Sequence, residues 1–157
     1  MAASVIVKRV FNCSAELAWK LWSEPDYVKQ WWGPDQFTCP LADIHFEVGK
    51  NSLVAMEAPG ELGGRVSYNL WTYTKIEPYK RIEYLQNMAD AEGNKRKPVE
   101  VGMPPDFPED ILTVVTFTTL GENQTEVVVT EFADFGQISH FAKIGLEQSL
   151  NKALRLF

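Results

Sequence analysis

The sequence is poor in the residues that catalytic and metal chemistry most often use. It holds two cysteines and two histidines in 157 residues, too few for a disulfide framework, and Cys13, Cys39, His45 and His140 stand in no metal-ligand spacing. No metal or other cofactor is expected. Positive charge is also scarce: 15 Lys and Arg face 21 Asp and Glu, for a formal charge of -6. The densest basic run is Lys95-Arg96-Lys97, so nucleic acid, which is bound through clustered cations, is not an expected partner. No apolar run approaches the roughly 20 residues that span a bilayer, and Met1 to Phe11 lacks the apolar segment and cleavage site of a secretory signal. The expectation is one cytoplasmic domain over residues 1–157, a monomer or homodimer with reduced thiols. A Gly-rich phosphate loop and a nucleophile elbow are missing as well. Among carboxylates that could serve as acid or base, Glu57, Glu83 and Glu131 stand out, and strand parity points Glu83 outward.

What the chain does have is a core: 45% of its residues are apolar and 12% aromatic. Ser4 to Phe11 is β-branched and short, which reads as a strand. Ser14, followed by Glu16, caps a helix over Ala15 to Trp22, with Leu17, Trp19, Leu21 and Trp22 spread over a broad apolar surface. Pro25 and Asp26 open a second short helix, which Gly33-Pro34 stops after Trp31-Trp32. From Phe37 the period falls to about two, predicting strands over Phe37 to Val48, Ser52 to Ala58, Arg65 to Glu77, Arg81 to Met88, Asp110 to Leu120 and Thr125 to Phe132. Parity turns Val66, Tyr68, Leu70 and Ile76 inward, then Ile82, Tyr84, Gln86 and Met88, then Ile111, Val115 and Phe117. Val127-Val128-Val129 chooses no face. Ala89 to Glu109, with four prolines, is an excursion that reads as a lid or as an inert loop.

The last segment, Phe135 to Phe157, organises the rest as a long amphipathic helix, with Asp134 and Gln137 as its capping box. At about 100° per residue, Ile138, Phe141, Ala142, Gly145, Leu146, Ser149, Leu150, Ala153, Leu156 and Phe157 share one face. The middle of that face is small, at Ala142, Gly145, Ser149 and Ala153. Either the helix packs very close to the sheet there, or a hollow lies beneath it. The polar tips of Tyr68, Tyr84 and Gln86 fit both readings, as satisfied core groups or as the orienting groups of an apolar pocket.

Several stretches resemble a known family. Val7-Lys8-Arg9-Val10-Phe11-Asn12-Cys13-Ser14, Trp19, Glu24-Pro25-Asp26 and Trp31-Trp32-Gly33-Pro34 are similar to the start of domains related to the C-terminal domain of the activator of Hsp90 ATPase. Those domains belong to the START-like or Bet v 1-like helix-grip superfamily (SRPBCC, polyketide cyclase). Thr72 to Tyr84 and Gly145 to Leu150 resemble later pieces, so that the likeness runs from about Ser4 to Leu156. It implies an α+β helix-grip fold: a seven-stranded curved antiparallel sheet wrapped around a long C-terminal helix, with two short helices after the first strand. The chain departs from the family at Cys13-Ser14, where Ala-Pro is usual, and at Gly145-Leu146, where Gly-Trp is usual. At the family's Asp-x-Arg-x-Gly-Gly stand His45, Glu47, Gly49 and Lys50, and His45 and Glu47 are expected to pair.

Three functions follow from the resemblance. First is non-enzymatic binding of a small apolar molecule (a lipid, sterol or polycyclic aromatic) between sheet and helix, at a site drawn from Trp32, Phe37, Met56, Tyr68, Leu70, Tyr84, Met88, Phe117, Phe141, Gly145 and Ser149. Second is contact with an Hsp90-type chaperone in a stress response. Third is cyclase or dehydratase chemistry in the same cavity.

Overall fold

In the computed structural model, which describes residues 5–157, Val5, Val7 and Phe11 are buried while Ile6, Lys8 and Val10 face water. That alternation makes Val5–Phe11 the first strand, β1. Ser4, the expected first residue of this strand, lies outside the described residues. Ser14 then caps α1 (Ala15–Ser23), its Oγ accepting the Leu17 N–H at 3.2 Å. Ala18, Trp19, Leu21 and Trp22 form the buried face of α1, whereas Leu17 is exposed. α2 (Pro25–Trp31) opens on Pro25. Proline has no N–H, so the Leu21 carbonyl one turn earlier loses its helical partner. The Trp31 indole takes that place, donating from Nε1 to Leu21 O at 2.7 Å in a buried bond that ties the two helices together.

Six further strands follow: β2 (Thr38–Asp43), β3 (Asn51–Glu57), β4 (Val66–Glu77), β5 (Arg81–Ala89), β6 (Ile111–Gly121) and β7 (Gln124–Phe132). They pair antiparallel in a seven-stranded sheet of order β1-β7-β6-β5-β4-β3-β2. The helices α1 and α2 carry the chain from one edge of the sheet to the other. The last helix, α3 (Ser139–Leu154), lies against the sheet's inner face. This is the α+β helix-grip arrangement, with a curved antiparallel sheet holding a C-terminal helix.

Three local expectations fail, each for an identifiable reason. β2 stops at Asp43 instead of reaching Val48, because the chain turns there, the Glu47 N–H donating to His45 O at 2.9 Å and the Lys50 N–H to Glu47 O at 3.0 Å. Beyond Asp43 the His45 N–H goes to Ser52 Oγ at 2.9 Å. His45 and Glu47 consequently do not pair; His45 Nε2 meets Asp43 Oδ1 at 3.1 Å and Glu47 meets Lys50 at 3.0 Å. In β4, a register shift between Tyr73 and Lys75 reverses the parity. Ile76 lies opposite the buried Ile82 on the inner face, but before the shift the inner residues are Ser67, Asn69, Trp71 and Tyr73 rather than Val66, Tyr68 and Leu70. Finally, α3 begins at Ser139, not at Phe135. Asp134 Oδ1 accepts the Gly136 N–H at 2.9 Å and a 3₁₀ turn, Gly136–Ile138, intervenes. The Gln137 N–H is directed at Asp106 Oδ2, 3.4 Å away, so the capping box does not form.

All five tryptophans enter one closed circuit of aromatic contacts. From Trp22 it runs to Trp31, Trp32, Trp71, Tyr84, Tyr73, Phe46, Trp19 and Phe117 and back to Trp22, with ring centroids 5.0 to 6.0 Å apart. Most neighbours meet edge-on or tilted, the arrangement that aromatic quadrupoles favour. The circuit fills the half of the grip beneath α1 and α2. Tyr73 is held within it by a 2.7 Å hydrogen bond to Ser52 Oγ, and burial pushes its phenol up to about 12.

The tie between Trp31 and Leu21 can be isolated. Trp31→Phe keeps a ring in the circuit but leaves the buried Leu21 carbonyl without a donor, at a cost of about 1 to 3 kcal/mol. The expected result is a lower urea midpoint with an unchanged slope. An unchanged midpoint would show that the bond contributes nothing.

Candidate functional site

Where the aromatic circuit ends, the inside of the grip is not filled. Along α3, Ala142, Gly145 and Ser149 face the sheet, and a methyl group built on Gly145 would meet nothing within 4 Å. The small residues therefore leave a hollow rather than bring the helix into close contact. The hollow measures about 480 Å³, within the range of small-molecule sites. α3 supplies Phe141, Ala142, Gly145, Leu146 and Ser149, with Phe135 and Ile138 just before it. The sheet supplies Met56, Ser67, Tyr68, Asn69, Gln86, Met88, Ile111 and Glu131, and the turn after α2 supplies Trp32 and Pro34.

The excursion between β5 and β6 borders the far end, through Met103, Pro104 and Phe107. This segment is built, not slack. Asp90 accepts the N–H groups of Glu92 and Asn94 at 3.0 and 2.9 Å and also binds Arg96, holding its carboxyl down at about 2, first through the Asn94 backbone. Gly102, at φ +81°, lies under the Arg65 guanidinium, where a β-carbon would come within 2.6 Å of a nitrogen. Phe107 packs edge-on to Phe135 at 6.4 Å, closing the gap between excursion and α3.

The polar lining is sparse and connected. Gln86 Nε2 donates to Thr113 Oγ1 at 2.8 Å and to Glu131 Oε2 at 3.1 Å. Burial pushes the Glu131 carboxyl up to about 7 from its ordinary 4.5, and the Gln86 amide only partly offsets this. Ser149 turns its hydroxyl back to Gly145 O at 3.0 Å. The Trp32 indole N–H and Asn69 Oδ1 are buried without a partner among the described residues, and both residues line the hollow.

Seven of the residues expected from the sequence surround this space: Trp32, Met56, Tyr68, Met88, Phe141, Gly145 and Ser149. Phe141 does so from the rim, 71% exposed, where α3 overhangs the sheet. Four others do not border it. Phe117 and Tyr84 are consumed by the aromatic circuit, against Trp19 and Trp22 in one case and Trp71 and Tyr73 in the other. Leu70 falls opposite Leu53 on the outer face once the β4 shift is counted. The Phe37 β-carbon stacks over Gly33, while its carbonyl accepts from Lys152 Nζ at 3.1 Å. Of the three candidate carboxylates, Glu83 pairs with Arg81 at 2.6 Å on the outer side and Glu57 is exposed, which leaves Glu131 as the carboxylate on the wall. The all-valine run before Glu131 hid its direction. Its register opposite Thr113, which shares the inner face with the inward Ile111 and Val115, was the available signal. Among the described residues, no group of three or more His, Cys, Asp or Glu could hold a metal, and no helix is long and apolar enough to cross a membrane.

A family model described as "Activator of Hsp90 ATPase homolog 1-like protein" matches residues 12–155. No curated protein matches the chain. Among solved structures, the AHSA1 protein of Silicibacter pomeroyi is similar over 97% of this chain and 95% of its own, at 15% identity and a TM-score of 0.75. A protein from Chromobacterium violaceum is similar over 97% and 94%, at 20% identity and a TM-score of 0.74. A Staphylococcus epidermidis protein studied in solution is similar over 96% and 87%, at 20% identity and a TM-score of 0.75. At these identities the likeness shows a shared fold.

Glu131 gives the site a pH signature. Because the folded state holds this proton more tightly than the unfolded one, its contribution to stability is complete below pH 4.5 and is lost as pH rises through about 7. A glutamine at this position would keep the acceptor for Gln86 and carry no charge. Glu131→Gln should therefore match wild type near pH 4.5 and exceed it at pH 8 by about 1 to 3 kcal/mol, a range that allows for water reaching the carboxyl through the hollow. Chemical denaturation at the two pH values checks this, and an equal difference at both would refute the assignment.

Proposed function

The chain belongs to the activator of Hsp90 ATPase homolog 1-like family, and from that premise we propose that it binds a small, largely apolar molecule in the hollow beneath α3. The observation that carries this reading is the void at Gly145. A helix that needed only to pack would gain from a larger side chain here, since glycine within a helix costs about 1 kcal/mol relative to alanine and leaves apolar surface uncovered. Apolar walls with a few fixed polar groups are the usual makeup of a site that takes its ligand out of water. Trp32, Met56, Tyr68, Met88, Phe141, Gly145 and Ser149 are the proposed contacts, joined by Gln86, Phe107 and Glu131. Binding of this kind requires no reaction.

Gly145→Leu tests the reading, because its β-carbon would meet nothing within 4 Å and the rest of the side chain is directed at the hollow. The variant should fold with equal or greater stability than wild type. Thermal unfolding is measured for both proteins with and without a panel of sterols, fatty acids and flat aromatics. A ligand present at about 100 times its Kd should stabilise wild type by about 2.7 kcal/mol, and Gly145→Leu should not respond. Destabilisation by Gly145→Leu, with no response to any compound in either protein, would overturn the proposal.

A further inference from the structure

The hollow has one ionisable acid in its wall and no base. Its lining contains no Lys, Arg or His. The titratable group that faces Glu131 is Tyr84, across β6; α3 and the excursion present only apolar or hydroxyl side chains. Of the two Glu131 oxygens, Oε2 accepts from Gln86, whereas Oε1 has no hydrogen-bond partner among the described residues. Five aromatic side chains border the same space: Trp32, Tyr68, Phe107, Phe135 and Phe141.

An acid in an apolar wall, with one oxygen lacking a partner and aromatic residues around it, is complementary to one kind of head group. A carboxylate or phosphate brought in would meet a second negative charge with no cation to neutralise either. A neutral head could share a hydrogen bond, but it would leave Glu131 either ionised and unpaired or held in its protonated form. A protonated amine neutralises the carboxylate through a charge-assisted bond to Oε1, and its cationic face can rest against the aromatic rings. The desolvation of Glu131 has already been met in folding, so the amine has only its own to offset. We infer that the cavity selects lipophilic amines, apolar molecules with an ammonium head that pairs with Glu131, and discriminates against anionic lipids such as fatty acids. This rests on the ligand-binding reading and adds the charge of the ligand.

The test uses three probes with the same apolar body: naphthylmethylamine, naphthylmethanol and naphthoate. Calorimetric titration of wild type and Glu131→Gln is run from pH 5 to pH 8. For wild type at pH 8 the amine should bind at least about tenfold tighter than the alcohol, the difference between a charged and a neutral hydrogen bond, and naphthoate weakest. Amine affinity should fall towards pH 5 as Glu131 takes up its proton, while the alcohol stays level. Near pH 6, amine binding should release a proton, visible as a heat that varies with the buffer's ionisation enthalpy. In Glu131→Gln the preference for the amine over the alcohol, its pH dependence and the proton release should all disappear. Equal binding of the three probes, or an amine preference that survives Glu131→Gln, would overturn this inference and leave the cavity as a ligand site. No binding by any probe to wild type, with Gly145→Leu also unresponsive to the panel above, would remove both.

Discussion

The aromatic circuit is the constraint on which the interior depends. A curved sheet closing on one helix encloses more volume than the side chains of a single α3 can fill, and the remainder has to be occupied, bridged or left open. Here two short helices push Trp19, Trp22, Trp31 and Trp32 into half of that space, where they interlock with Trp71, Tyr73, Tyr84, Phe46 and Phe117. Rings in mutual edge contact cannot slide independently, so this half is rigid. The other half is where the chain places its small residues. Trp32 stands at the boundary, one edge against Trp71 and another on the hollow. The position of the hollow is thus a consequence of where the tryptophans stop.

Much of this was legible in the sequence. Ser14, Pro25 and Gly33-Pro34 mark the two short helices because each acts locally, through a cap, a fixed φ or a missing donor. The strands are legible because their turns are. The parity of β4 was not: the single extra residue near Thr74 changes which side of the sheet Tyr68 and Leu70 occupy, and nothing in the order of residues announces a bulge. The start of α3 was misplaced for a related reason. Asp134 looks like a cap and does accept a backbone N–H, but it bonds Gly136 two residues on, and the turn that results delays the helix. The candidate site was therefore readable from α3, whose periodicity is local, and only partly from the sheet, whose facing depends on register set elsewhere. Tyr84 and Phe117 were correctly turned inward, yet facing inward proved insufficient to reach the hollow.

Tyr73 finds Ser52, and the Trp31 indole finds Leu21; both are closed pairs. Glu131 is only half satisfied, through Gln86, and its acidity is weakened because the surroundings solvate a charge poorly. A buried group left in that condition retains a need for a partner. The Trp32 indole N–H and Asn69 oxygen, also without partners among the described residues, lie around the same space, while the Trp22 and Trp71 indole N–H groups are unpaired inside the aromatic circuit.

The fastening of α3 is unequal along its length. Its C-terminal half buries Leu150 and Ala153 and is pinned from three directions, by Arg9 to Asn151 at 3.0 Å, by Lys152 to the Pro34 and Phe37 carbonyls, and by the Asp35 N–H to Gln148. Its first two turns contain no fully buried residue, start at Ile138 without a side-chain cap, and span the hollow. The first turns are held only by partly buried side chains, Ile138 and Ala142, so the change in fastening lies between Gly145 and Ser149. Local opening of these first turns exposes less buried surface than unfolding of the whole chain, so its free energy is separable from the global stability of the fold.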